Sequence, residues 1–66
     1  MIISDFTRPE IDYFLNTCNF TDIEREFFIL RTKGITLDEI SEIMNVSRRT
    51  CDTYSKKIKR KIIKVL

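Results

Sequence analysis

Thr36-Leu37-Asp38-Glu39-Ile40-Ser41-Glu42-Ile43-Met44-Asn45-Val46-Ser47-Arg48-Arg49-Thr50-Cys51-Asp52-Thr53-Tyr54 reads as a short helix, a tight turn and a second helix with its own start signal. Thr36 with Glu39 three residues on has the spacing of a capping box, in which a hydroxyl and a carboxylate each satisfy an amide left without a partner at a helix start. Ile35 and Ile40 stand where a hydrophobic staple would fix the approach of the chain. Leu37, Ile40 and Met44 share one helical face. Asn45 falls where the chain must leave the helix, and asparagine is the residue besides glycine that best tolerates a left-handed backbone. Val46 is apolar within the turn, Ser47 is a good N-cap, and Cys51, Tyr54 and Ile58 follow at helical spacing. The pattern is a helix-turn-helix, with helices expected over about 37–44 and 48–65.

The preceding chain repeats the same grammar. Thr7 and Glu10 form a box, Pro9 is tolerated in the first turn where no intrahelical amide is needed, and Phe6 can staple to Ile11. A helix is expected over about 8–18, with Ile11, Phe14, Leu15 and Cys18 inward. Asn16-Thr17-Cys18-Asn19 competes for backbone bonds, so that helix should fray before Phe20. Thr21 and Glu24 open a helix over about 22–33, on which Ile23, Phe27 and Leu30 form the principal stripe while Phe28 and Ile29 point elsewhere. A helix contacted from several sides is central. Gly34 supplies its left-handed end, with Arg31 and Lys33 favourable against the negative end of the dipole. Three T-x-x-E boxes could mark an internal duplication, but the segments between them do not match, so they read as independent caps. The expected fold is all-α, a compact four-helix domain over residues 1–66 containing a helix-turn-helix with a long basic C-terminal helix. At 66 residues, closely packed helices with short turns are the economical way to build one core.

Composition narrows the function. The 42% hydrophobic content with one Gly and one Pro argues against disorder. The longest apolar run, Phe27 to Leu30, is far too short to span a membrane. Met1-Ile2-Ile3 meets Ser4-Asp5 at once, so no secretory leader is expected and the location expected is cytoplasmic. Cys18 and Cys51 could pair; isolated on apolar stripes, they read as reduced small hydrophobes. With no His, two scattered Cys and no Gly-rich loop, the chain offers no metal cluster, thiol dyad or phosphate cradle, and neither an enzyme nor a cofactor is expected. Glu24 with Glu26, and Glu39 with Glu42, read as caps and exposed helix charges rather than catalytic pairs.

The net charge of +2 divides unevenly. Residues 1–46 carry nine acidic groups against four basic ones, a net of −5, whereas residues 47–66 carry eight basic groups against Asp52 alone, a net of +7. A basic final helix on an acidic body is the electrostatic footprint of a module that presents one helix to a polyanion. At 100° per residue, Tyr54, Ile58, Ile62 and Val65 lie within about 60° of Cys51, with Arg49, Thr53, Lys56 and Arg60 diametrically opposite. A helix fits the DNA major groove, where Arg and Lys donate to guanine, Thr meets the thymine methyl and Asp accepts from the cytosine amino group. Asp52 would be repelled by phosphate unless it reaches a base edge or pairs with Arg48, Arg49 or Lys56. Thr50 replaces the glutamate of a capping box, which suits a helix start that approaches phosphate. A solvated basic face and a membrane-surface helix are the competing readings. The second lacks the aromatic side of such helices, and the helix-turn grammar weighs against both.

The runs Thr21-Asp22-Ile23-Glu24-Arg25-Glu26, Gly34-Ile35-Thr36-Leu37-Asp38-Glu39-Ile40 and Val46-Ser47-Arg48-Arg49-Thr50-Cys51, with Ile58 to Ile62, resemble the DNA-binding domain shared by LuxR-type regulators and region 4 of sigma-70 family factors. The resemblance covers about residues 20 to 62; Ser41 stands where that family usually has a packed alanine, and Cys51 where it has Val or Ile. It implies that the helix starting near Ser47 enters the major groove, with Arg48, Arg49, Asp52, Thr53 and Lys56 toward DNA and Lys33 and Thr36 toward phosphates. Ser47, Lys57 and Arg60 complete the expected DNA-binding set. No receiver, ligand-binding or sigma region 2 portion accompanies it, so neither a complete response regulator nor a complete sigma factor is expected. The expected function is a double-stranded DNA-binding transcriptional regulator. The alternative is a protein-interaction module that docks, like sigma region 4, onto RNA polymerase or another regulator. Finally, Ile63 and Leu66 lie about 120° and 60° from Cys51, so the C-terminal turn is apolar over too broad an arc for one neighbour. Either Met1-Ile2-Ile3 covers it or a second copy does; a homodimer through Ile62, Ile63 and Leu66 is the expectation, as a palindromic DNA site would require.

Overall fold

The computed structural model describes all residues, 1–66. The chain forms a 3-10 turn, Ile3–Asp5, followed by four helices: α1 (Arg8–Thr17), α2 (Asp22–Thr32), α3 (Leu37–Ile43) and α4 (Arg48–Val65), with no strand. Each helix starts where a Thr or Ser N-cap stands, at Thr7, Thr21, Thr36 and Ser47. Thr7 with Glu10 and Thr21 with Glu24 form reciprocal boxes. The third box is only half formed. Thr36 Oγ1 accepts from the Glu39 amide at 3.2 Å, but the Glu39 carboxylate takes the Thr36 hydroxyl at 2.9 Å instead of the Thr36 amide.

Two helices end in the same way with different residues. After α2, the Gly34 amide donates to Arg31 O at 3.0 Å and the Ile35 amide to Leu30 O at 3.4 Å, with Gly34 at φ 81°. After α3, the Asn45 amide donates to Glu42 O at 3.3 Å and the Val46 amide to Ser41 O at 2.9 Å, with Asn45 at φ 55°. Both are Schellman motifs, in which a left-handed residue lets two amides return to the helix's last free carbonyls. In each, the apolar residue after the left-handed one, Ile35 or Val46, packs against the core. Arg31 Nη1 also donates to Ile35 O at 2.6 Å, tying the α2–α3 turn to the helix it leaves. Asn19, after α1, is left-handed too, at φ 53°.

α2 is the central element, in contact with the 3-10 turn, α3 and α4. Its inward side is shifted from the stripe expected from the sequence: Phe27 and Leu30 face the core as expected, but Ile23 does not. Phe27 and Phe28 are both fully buried, Glu24 is buried beside them, and Ile23 is 50% exposed. With the buried face centred between Phe27 and Phe28, Ile23 lies roughly 90° away, which places it on the rim. Phe28 meets Phe6, Phe14 and Phe20 at ring-centroid distances of 6.4, 6.5 and 5.1 Å, while Phe27 meets Tyr54 of α4 at 6.0 Å. Cys51, Ile58 and Ile62 close the core from α4 and Ile40 from α3. Ile3 of the 3-10 turn is buried as well, so the N-terminal segment folds back onto α2 and not over the last turn of α4, where Ile63 and Leu66 remain exposed. No helix is long and apolar enough to cross a membrane.

The two left-handed turns give a backbone test. A Cβ at Gly34 would meet nothing within 4 Å, so Gly34→Ala carries only the conformational penalty of φ 81°, about 1 kcal/mol. In a domain of this size that corresponds to a thermal midpoint lowered by roughly 4–8 °C. Asn45→Ala should fall similarly and Asn45→Gly should leave the midpoint nearly unchanged. Thermal unfolding of the three variants checks both positions, and an unshifted Gly34→Ala would contradict the left-handed turn.

Candidate nucleic-acid interface

The turn from Met44 to Ser47 aims α4, and a serine cap fixes its start. Ser47 Oγ accepts the Thr50 amide at 3.1 Å and lies 2.8 Å from Thr50 Oγ1, so Thr50 completes this cap through a hydroxyl, without adding charge. Arg48, in the first turn, is engaged by protein: its Nε donates to Asp38 Oδ1 of α3 at 2.9 Å and its Nη1 to Asp52 Oδ1 of α4. The hydrogen bond to Asp52 foremost, against some desolvation, and then Asp52's charge and the Asp38 contact push the guanidinium above its ordinary pKa. Of the pairings open to Asp52 from the sequence, Arg48 is the one formed.

Beyond that first turn the expected row is unpaired. Arg49, Lys56, Lys57 and Arg60 are exposed and make no ion pair. Thr53 is exposed, with its hydroxyl donating to Arg49 O at 3.2 Å. Arg49, Thr53, Lys56 and Arg60 fall within about 60° of one another around α4, opposite Cys51 and Ile58. They form one ridge. Thr36 is engaged as the α3 cap. Lys33, the C-cap of α2, is exposed and lines a groove between α1 and α2 with Ile11, Leu15 and Ile29. Lys33, which the resemblance sends toward phosphates, makes no ion pair.

The C-terminal half of α4 contains an ion pair the sequence reading did not identify. Lys61 Nζ donates to Glu24 Oε1 at 2.5 Å and reaches Asn19 O at 3.5 Å, joining α4 to the start of α2. Glu24 Oε1 also accepts the Thr21 amide at 3.0 Å. Burial pushes the Glu24 carboxyl up, but the bonds from Lys61 and Thr21 and the charge of Lys61 outweigh it and hold the carboxyl below the usual range. The available signal was a glutamate at the inward position preceding Phe28 by one turn and a lysine on the α2-facing side of a basic helix. Ile62, expected at a subunit contact, is corrected: it is 0% exposed, sealed in the chain's own core, whereas Ile63 and Leu66 are 61% and 81% exposed.

Cys18 and Cys51 are free and buried. Burial raises both thiols, offset in part by Lys61 at Cys18 and by Arg48 at Cys51. Such thiols are unreactive. No group of three or more His, Cys, Asp and Glu is placed to hold a metal ion. Neither protein families, curated proteins nor solved structures give a match to this chain.

The Glu24–Lys61 pair carries a pH signature. A carboxyl whose folded pKa is depressed contributes stability above its unfolded value, near 4.3, and loses it as pH falls through the folded value. Glu24→Gln should therefore cost about 1 kcal/mol at pH 7, discounted for the partial exposure of Lys61, and less at pH 3. Urea unfolding of both proteins at the two pH values measures this; an equal difference at both would remove the charge from the account.

Proposed function

We propose that the chain binds double-stranded DNA by placing the N-terminal half of α4 in the major groove, and that it regulates transcription in the cytoplasm, as its resemblance to LuxR-type regulators and sigma-70 region 4 implies. The observation that carries the reading is the ridge of Arg49, Thr53, Lys56 and Arg60. It is exposed, unneutralised by any acidic neighbour, and mounted on a helix whose opposite side is locked in the core. Arg49 and Lys56 suit guanine O6 and N7, and Thr53, its hydroxyl turned to the backbone, offers a methyl to thymine. Ser47 and Thr36 keep capping roles near the duplex, Lys33 contributes charge, and Arg48 with Asp52 orients the helix start. A two-fold dimer, in which Ile63 and Leu66 of two copies meet, would place two such ridges on a palindromic site.

The second reading, docking onto RNA polymerase or another regulator, is favoured by exposed Ile23 and Ile43, which lie on helices carrying Asp22, Glu26, Glu39 and Glu42. Isoleucine beside carboxylates suits contact with a protein better than contact with phosphate.

Titration against selected and random duplexes at several salt concentrations decides between them. If about five phosphates are neutralised, log affinity should fall against log salt with a slope near −4 to −5. Arg49→Ala should cost roughly 1–3 kcal/mol on the preferred sequence and relax base preference, whereas Lys33→Ala should weaken all duplexes alike. Undetectable or salt-independent binding would put the protein-docking reading ahead.

Light scattering at micromolar concentration tests assembly. The wild-type chain should be dimeric, and Ile63→Lys with Leu66→Lys together should return it to monomer mass. A monomeric wild type would sink the interface.

A further inference from the structure

The groove between the start of α2 and the C-terminal half of α4 has a charge pattern that major-groove insertion alone does not use. It is an open groove of about 370 Å³ lined by Thr21, Glu24, Lys57, Arg60, Lys61 and Lys64, with no hydrophobic residue. Its one carboxylate, Glu24, is already paired with Lys61, so Lys57, Arg60 and Lys64 face the groove without an acidic partner. The amides at the start of α2 are engaged as well, Thr21 N–H by Glu24 and Glu24 N–H by Thr21. An anion here would meet side-chain cations, not the end of a helix dipole.

The cations are also one-sided. Around α4, Lys57, Lys61 and Lys64 fall on the flank next to the ridge and toward α2, spanning about 60°, while the other flank carries Lys59, the exposed Ile63, and Arg48 paired with Asp52. A helix in the major groove runs between two phosphate backbones, and only one flank of α4 is built to meet one. We propose that this groove seats a backbone phosphodiester of the DNA strand bordering the major groove, held by Lys57, Lys64 and Arg60, with Lys61 fixed by Glu24 as the groove's floor. The proposal rests on the DNA-binding reading and assigns these residues to phosphate rather than to base edges. It extends the contact to Lys64, beyond the set expected from the sequence.

The test compares wild type, Lys57→Gln with Lys64→Gln, and Arg49→Ala on selected and random duplexes across a salt series. The double variant should lose affinity to the same extent on both duplexes, and its salt slope should shrink by about 0.9, the contribution of one neutralised phosphate. Arg49→Ala should lose affinity mainly on the selected duplex. A scan in which single phosphates of the selected duplex are replaced by neutral methylphosphonates should find one flanking position that weakens wild type and leaves the double variant unaffected. Both replaced lysines are exposed, so thermal unfolding should be unchanged. An unaltered salt slope, or a scan with no position specific to the lysines, overturns the phosphate seat while DNA binding stands. A wild-type chain that binds no duplex overturns both.

Discussion

Two adjacent phenylalanines, Phe27 and Phe28, are both fully buried, and neighbouring residues on a helix point about 100° apart. A helix that buries both cannot lie on a surface; it must be enclosed on two sides. Phe28 turns to Phe6, Phe14 and Phe20, gathering the N-terminal third of the chain, and Phe27 turns to Tyr54 on α4. Full burial of each contributes about 1.5–3 kcal/mol, a large share of what a single small core can provide. Every other element takes its place relative to that pair. Even Ile3 is drawn in, because the aromatic side of α2 needs a cover that α1 alone does not supply.

What was legible in the sequence was local. Caps and left-handed exits act within four or five residues, so Thr7, Thr21, Thr36 and Ser47 mark the helix starts, and Gly34 and Asn45 mark two ends, without reference to tertiary structure. The buried stripe of α4 was legible too, because a long helix with one apolar face has one solution. α2 was not. Apolar on several sides, it admits more than one centre for its stripe, and the choice of Phe27 with Phe28 over Ile23 with Phe27 is made by what packs on it. The pairings of Arg48 with Asp38 and of Lys61 with Glu24 span ten and 37 residues. Composition shows that such charges exist; only the fold shows which are engaged.

That distinction changes how the basic segment is read. Its net of +7 is a property of the sequence, but a protein surface acts through the charges its own acids leave free. Arg48, first in the basic run, is the one most committed to protein contacts, and its ion pairs are exposed. Exposed pairs contribute little to stability, so they bias the start of α4 while its buried residues hold it in place. Through Asp38 and Asp52, Arg48 links the first turns of α3 and α4.

The two ion-pair groups stand at opposite ends of the unpaired ridge. Arg48 joins α4 to α3 in its first turn, and Lys61 joins it to α2 thirteen residues later, about 20 Å along the axis. Between them Cys51 and Ile58 are sealed in the core, so α4 can neither roll nor slide without exposing them. Arg49, Lys56, Lys57 and Arg60, unpaired, lie between these anchors. A helix held this way presents its free cations in a fixed register. Fixed register is what reading a sequence of bases demands and what attraction to a polyanion does not.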